Sequence, residues 1–230
     1  MKKALLIITI LFTFNTTIAQ ETGEDETGSW LMYFGTNKIS NKLSIHSEVQ
    51  ARYYESTSNF NQLLLRTGLN YHINPNAIAT LGYGYIKTDG TFSELLGEID
   101  ATENRIFQQF ILKNKVGQFH FEHRYRLEQR FLESGGLLAT GVKSTEHRAR
   151  YRIQVTLPLT DIFFLNFYDE VFINLQNDAF GQNRLYAALG INVTENLSIQ
   201  TGYLKNHFAT TNFDRLQFGV FYNPDLRKKK

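Results

Sequence analysis

The chain has 230 residues, 42% of them hydrophobic, no cysteine and a formal net charge of +2. That is the length of one domain, without disulfides or thiolate metal sites. The mean hydropathy of −0.30 excludes a bundle of membrane helices, and the near-balanced charge points to no nucleic-acid partner.

In chain order, residues 1–19 read as a secretory signal peptide. Lys2 and Lys3 precede an apolar run from Ala4 to Phe14, and Thr17-Ile18-Ala19 before Gln20 forms a small-residue cleavage site. Cleavage after Ala19 removes both lysines and takes the formal charge from +2 to 0. No cysteine follows that could carry a lipid anchor. Residues 20–28 form an acidic N-terminal segment, 29–222 the structured domain, and 223–230 a basic tail.

Strand-like segments then repeat, at 29–36, 42–54, 62–73, 78–87, 103–116, 119–131, 145–157, 162–174, 183–193, 197–206 and 213–222, with a short helix expected near 92–99. The segment 119–131 is the most informative. Phe119, Phe121, Tyr125, Leu127 and Phe131 alternate with His120, Glu122, Arg124, Arg126, Glu128 and Arg130. A period of two gives an extended strand with one apolar and one charged face. Ordinary strands run about 5–6 residues, whereas an oblique membrane crossing takes roughly 9–11, apolar toward lipid and polar toward a lumen.

The connections support the same architecture. Tight turns at 74–76, 116–118, 158–161 and 194–196 alternate with longer loops at 55–61, 88–102, 132–144, 175–182 and 207–212. Outer-membrane barrels place short turns on the periplasmic side and longer loops outside. Aromatic residues near strand ends, among them Trp30, Phe34, Tyr53, Tyr54, Tyr71, Tyr83, Tyr85, Phe119, Phe131, Phe221 and Tyr222, fit interfacial girdles. The expected fold is all-β, a transmembrane antiparallel barrel of about 10–12 strands. Because single-chain bacterial barrels use even counts, 29–36 is expected to be an extra piece, unless a strand is missed or split. Asp169 falls on the apolar face of its segment and calls for a bulge or a position at the rim.

Four ordered motifs, 103–109 (Glu103-Asn104-Arg105-Ile106-Phe107-Gln108-Gln109), 123–131 around Arg124 and Glu128, 168–174 (Tyr168-Asp169-Glu170-Val171-Phe172-Ile173-Asn174) and 182–186 around Arg184, resemble the DUF2490 family over essentially the whole mature chain. The family comprises uncharacterised envelope proteins, common in Bacteroidetes. The resemblance implies an outer-membrane barrel and carries over no activity and no catalytic residue.

Apolar parity turns Arg52, Arg66, Arg105, Arg124, Arg126, Arg130, Arg148, Arg150, Arg152, Arg184 and Arg215 inward, together with Glu48, Glu103, Glu122, Glu128, Glu146 and Glu170. Lysines are expected in turns, loops and the tail. The planar guanidinium suits a fixed lumen network because it binds carboxylates through two parallel hydrogen bonds. The reading adopted is a structural role in the envelope with a largely salt-bridged lumen. The first alternative is a small anion-selective channel for acidic solutes, since arginine rings favour anions. The second is an outer-membrane lipid-modifying enzyme, with His123 and His147 on the lipid-facing parity as its only candidate pair. No serine stands in a recognisable motif beside a histidine, and arginines next to His120 and Glu122 disfavour a cation there. No cofactor, metal or catalytic residue is expected. The expected partners are outer-membrane lipid and lipopolysaccharide, the barrel-assembly machinery and small anionic solutes.

Overall fold

The computed structural model describes residues 23–92, 100–136, 139–176 and 178–227. The expected signal peptide, most of the expected helix near 92–99 and the final lysines lie outside the described residues. The strands are β1 (Thr27–Lys38), β2 (Leu43–Tyr53), β3 (Phe60–Asn74), β4 (Ala77–Asp89), β5 (Asp100–Val116), β6 (Phe119–Gly136), β7 (Ala139–Pro158), β8 (Phe163–Asn174), β9 (Phe180–Asn192), β10 (Leu197–His207) and β11 (Asn212–Tyr222). They close into a single barrel in sequence order.

Eleven strands of alternating direction leave the first and last running the same way, so closure requires a parallel pair. β1 supplies it: Thr27 to Gly35 lie beside Asp214 to Tyr222 in parallel register, while the other edge of β1 pairs antiparallel with β2. The segment expected to be an extra piece is therefore the closing strand. The C-terminal tail prolongs this seam. The Lys38 amide donates to the Pro224 carbonyl at 3.0 Å and the Leu226 amide to the Lys38 carbonyl at 2.8 Å. Arg227 then holds Asp225 and Asn41.

Local chemistry fixes the turns at one end. The Asn74 side chain accepts the Asn76 amide, Thr160 Oγ1 accepts the amides of Ile162 and Phe163, and Thr194 Oγ1 those of Asn196 and Leu197. Gly117 sits at φ 58°, where a side chain would be strained. At the opposite end the asymmetry is smaller than the sequence implies, because β6 and β7 continue into the stretch read as a loop at 132–144. Register is held there by pairs such as Leu132 with Ser144 and Glu133 with Lys143.

The burial of the barrel is inverted relative to a water-soluble protein. Glu48, Arg105, Arg126, Glu128, Arg150 and Glu170 are buried, whereas Leu69, Leu81, Leu127, Leu185 and Phe218 are exposed on the outer wall. From the turn end upward the outward residues of β10 are Leu197, Ile199, Thr201 and Tyr203, before Lys205; those of β11 are Tyr222, Val220, Phe218 and Leu216, before Asp214. A rise of ~3.3 Å per residue at a tilt near 40° makes this apolar zone about 15–18 Å tall. Outward polar pairs concentrate above it: Lys205 with Asp214 at 2.9 Å, Lys87 with Asp100 at 3.1 Å, and Asp169 accepting from Asn183 at 3.0 Å. Asp169 thus finds a side-chain partner on β9, with no bulge beside it.

The aromatic girdle is thinner than expected. Tyr53, Tyr71, Tyr83, Phe119, Phe131 and Tyr222 face outward, but Trp30 and Tyr54 are buried inside. Phe34 stacks on Phe221 across the parallel seam, with ring centroids 4.8 Å apart, on the lumen side.

The seam can be tested chemically, because the chain contains no native cysteine. Leu31 and Phe218 are register partners across it. With Leu31→Cys and Phe218→Cys, a short bis-thiosulfonate reagent is expected to join β1 to β11. A Val49→Cys, Leu65→Cys pair, partners on β2 and β3, serves as control. Cross-linking of the control alone would contradict the parallel closure.

Candidate functional site

The lumen-facing sequence of β6 and β7 creates an electrostatic problem that the other strands resolve. Their register places Arg124 opposite Arg152 and Arg126 opposite Arg150, and like charges directly opposite are destabilising. Compensation comes from above and from the side. Glu128, one residue pair toward the loop end, accepts Arg148 at 2.6 Å and Arg150 at 2.7 Å, with Arg105 and Arg126 at 3.5 and 3.6 Å. Glu170 reaches past β7 from β8 to Arg124 at 2.7 Å and Arg150 at 2.8 Å. Glu103 takes Arg105 and Arg130 at 2.5 and 2.8 Å, and Arg130 also holds Glu146 at 2.6 Å. Glu48 takes Arg66 at 2.8 Å, and Glu122 takes Arg152 at 2.7 Å.

Of the arginines and glutamates assigned inward by parity, Arg52, Arg66, Arg124, Arg126, Arg150, Arg152, Arg184, Glu48, Glu122 and Glu170 line one cavity. Arg105, Arg215, Glu103 and Glu128 are buried, and Arg130 and Arg148 bond those carboxylates, whereas the Glu146 side chain is 46% exposed. Lysine departs from the expectation: Lys113 lines the lumen near Glu122, at 3.7 Å, and Lys87 and Lys205 stand on outward strand faces.

Apolar side chains share the lumen, and the sequence pattern underestimated them. Phe107, Phe172, Leu64, Ile86 and Leu204 are at most 1% exposed, as is Glu128 at 0%. Phe172 is surrounded by guanidinium groups, with the Cζ atoms of Arg148, Arg150 and Arg184 at 5.1, 4.1 and 4.7 Å from its ring centroid. Cation–π contacts of this kind contribute about 2 kcal/mol each when desolvated. Glycine makes room for such rings: the Phe107 ring lies where a Cβ on Gly82 would stand, and Phe164 does the same over Gly190. Phe107 shares the strand parity of Arg105, and Phe164 that of Glu170, so the alternation that turns those charges inward was also the signal for the rings.

These contacts divide the lumen into two halves. The loop-side half is packed solid around Glu128, Phe107 and Phe172, with Tyr54 and Phe92 in edge-to-face contact at the mouth. The turn-side half contains a cavity of about 500 Å³ that extends to Thr36, Phe221 and Asn223 at the turn end. Its cationic lining consists of Arg52, Arg66, Arg124, Arg126, Arg150, Arg152, Arg184 and Lys113; its carboxylates are Glu48, Glu122 and Glu170 alone. The salt bridging expected throughout the lumen is thus densest in the loop-side half and leaves a cationic excess in the other.

The cavity has two chemically different walls. β6 and β7 carry the arginine pairs. Around the seam stand Trp30, Met32, Phe34 and Phe221, continued on β8 and β9 by Tyr168 and Tyr186, whose rings stack at 4.6 Å. In ring order β6 lies opposite β1. Arg52 and Arg184 join the walls, at 3.7 and 4.9 Å from the Trp30 ring centroid.

Among the described residues, ten buried side-chain polar atoms lack a hydrogen-bond partner. Most belong to residues lining the cavity, including Nε of Arg66, Arg124, Arg152 and Arg184, Trp30 Nε1 and Gln217 Nε2. Buried polar groups are ordinarily satisfied, so this concentration marks the cavity as the polar region whose donors the protein itself does not use.

The histidines do not assemble a site. His46 bonds Glu48 at 3.1 Å and His72 bonds Ser44 at 2.8 Å inside the lumen, while His120 is exposed at its turn-side mouth. On the outer wall His123 bonds the Tyr151 hydroxyl at 2.9 Å. His147 lies opposite Gln129, whereas His123 lies opposite Ile153. Six residues of β7 separate those positions, about 20 Å. The pairing of His123 with His147 expected for a lipid-modifying site is therefore absent. No group of three or more His, Cys, Asp or Glu suited to a metal occurs among the described residues.

Among known proteins, the model of one family, described as a protein of unknown function, DUF2490, matches residues 27–217. No curated protein and no solved structure matches the chain.

The two-level network predicts unequal costs for removing carboxylates. Glu128→Gln leaves several buried guanidinium groups uncompensated and is expected to lower unfolding stability by about 3–5 kcal/mol. Glu133→Gln, which removes an exposed pair with Lys143, is expected to change it by less than about 1 kcal/mol. Urea unfolding of the refolded protein, followed by the gel shift between unboiled and boiled samples, measures both. Equal effects would contradict the assignment of Glu128 as the centre of the network.

Proposed function

The chain belongs to the DUF2490 family of proteins of unknown function, and we propose that it is an exported outer-membrane barrel with a structural role in the envelope and a lumen closed to passive flow. The observation that carries this reading is the inverted burial: charged side chains are enclosed while large apolar ones cover the outside. Such an outer wall is costly in water and stable in lipid. The apolar stretch on β10 and β11, about 15–18 Å tall, takes up most of the roughly 25 Å band of outer-membrane barrels. The N-terminal basic and apolar run supports export through a signal peptide cleaved near Ala19. Short turns at one end and the β6–β7 hairpin at the other support an orientation with the turns in the periplasm and the hairpin outside, next to lipopolysaccharide. Insertion would use the barrel-assembly machinery.

The closed lumen is supported by the loop-side half, where Phe107, Phe172, Leu64 and Glu128 leave at most 1% of their surfaces accessible. Any path through the barrel would have to break the Glu128 network. A passive anion channel is therefore the weaker reading, although the turn-side half is strongly cationic. A lipid-modifying enzyme is weaker still, because its candidate histidines are far apart.

Planar-bilayer recording of the refolded protein tests the closure. No stepwise conductance is expected in 1 M KCl at moderate voltage. Anion-selective steps from the wild-type protein would overturn the closed reading and restore the channel.

A further inference from the structure

The closed loop-side half makes the turn-side cavity a cup with one entrance, and we infer that this cup is a binding site for a small organic polyanion with a flat ring, entering from the turn side. The inference rests on the barrel and closed lumen proposed above. The cavity volume of about 500 Å³ falls within the range of about 300–1,000 Å³ typical of small-molecule sites.

Three features specify the ligand. First, cationic groups greatly outnumber carboxylates in the cup, and two of the cations lack a salt bridge there: Arg52 is held by Gln50, Gln62 and the Trp30 ring, and Arg184 contacts the rings of Trp30 and Phe172. A charge excess inside a low-dielectric wall attracts anions. Second, Nε of Arg124, Arg152 and Arg184 is buried without an acceptor. Small shifts of these side chains toward a bound carboxylate or phosphate would satisfy them through paired N–H donors. Third, the wall facing the arginine pairs is aromatic. The stacked Phe34 and Phe221 provide an apolar aromatic surface reached from the same opening. A simple inorganic anion would use the arginines and leave that surface idle; a flat polyacid uses both.

Glu122 adjusts the strength of the site. It stands at the turn-side end of the arginine wall, bonded to Arg152 at 2.7 Å and near Lys113 at 3.7 Å, where it competes with an incoming anion for both cations.

The probe is benzene-1,3,5-tricarboxylate, titrated calorimetrically into full-length mature protein refolded in uncharged detergent. Propane-1,2,3-tricarboxylate serves as the non-aromatic control and benzene-1,3,5-trimethanol as the uncharged one. Expected is saturable binding of one tricarboxylate per barrel, about five- to tenfold weaker binding of the propane analogue, and none of the triol. Arg152→Gln and Arg124→Gln should each weaken binding about tenfold or more. Glu122→Gln should tighten it severalfold, a gain that no loss of fold can imitate. An absence of saturable tricarboxylate binding to wild-type protein that shows the folded gel shift would overturn the proposal. So would equal binding of the triol, equal binding of the propane analogue, or weaker binding by Glu122→Gln. Bilayer recording separates the two readings. A barrel that neither conducts nor binds keeps its closed lumen and loses the ligand site; one that conducts loses the closure whatever it binds.

Discussion

Arg124 against Arg152 and Arg126 against Arg150, facing one another across β6 and β7, set the constraint that the rest of the barrel meets. Four guanidinium groups on adjacent strands cannot be enclosed without anionic partners. Those partners cannot come from the two strands' own opposing positions, which are occupied by the arginines. Glu128 lies one pair further along, and Glu170 comes from the neighbouring β8. The position of Glu128 draws Arg105 and Arg148 into the same knot, and Phe172 accepts the guanidinium faces that remain. β5, β6 and β7 are therefore linked in the loop-side half through one carboxylate that is 0% exposed.

Compensation is unequal along the axis, and the inequality gives the lumen its two halves. Toward the loops Glu103, Glu128 and Glu146 stand among a comparable number of arginines, Arg105, Arg130, Arg148 and Arg215, and aliphatic or aromatic side chains fill the remaining space. Toward the turns three carboxylates, Glu48, Glu122 and Glu170, face eight arginine and lysine side chains. The parallel seam contributes there by bringing β1, whose inward residues are Trp30, Met32 and Phe34, opposite the arginine wall. An even-stranded barrel without β1 would lack that aromatic surface. The odd strand count thus has a chemical consequence for the cavity as well as a topological one.

Much of this was legible in the sequence because alternation is a local property. The inward direction of Arg105, Arg126, Arg150 and Glu170 follows from the parity of their strands alone, and so does the outward direction of Leu81 and Leu127. Long-range properties were less accessible. Nothing local in 29–36 announces a parallel partner more than 180 residues away, so β1 looked surplus. Trp30 and Phe34 resembled girdle residues because an aromatic near a strand end fits either face until register is known. The hairpin beyond Phe131 was hidden for the opposite reason: polar and small residues on both faces read as a loop, although the backbone ladder continues. His123 and His147 share a parity, and parity does not measure distance along a strand.

The central claim, that the apolar outer wall meets lipid while the charged face is enclosed, is tested most directly by single-cysteine labelling in lipid bilayers, for which the cysteine-free chain is well suited. An environment-sensitive fluorophore at Leu81, Leu127, Leu185 or Phe218 is expected to be quenched by nitroxide-labelled lipids, whereas one at Thr156 or Ser198, lining the turn-side cavity, is expected to respond to an aqueous quencher. Equal aqueous quenching at both sets, in protein that stays soluble without detergent, would contradict the account.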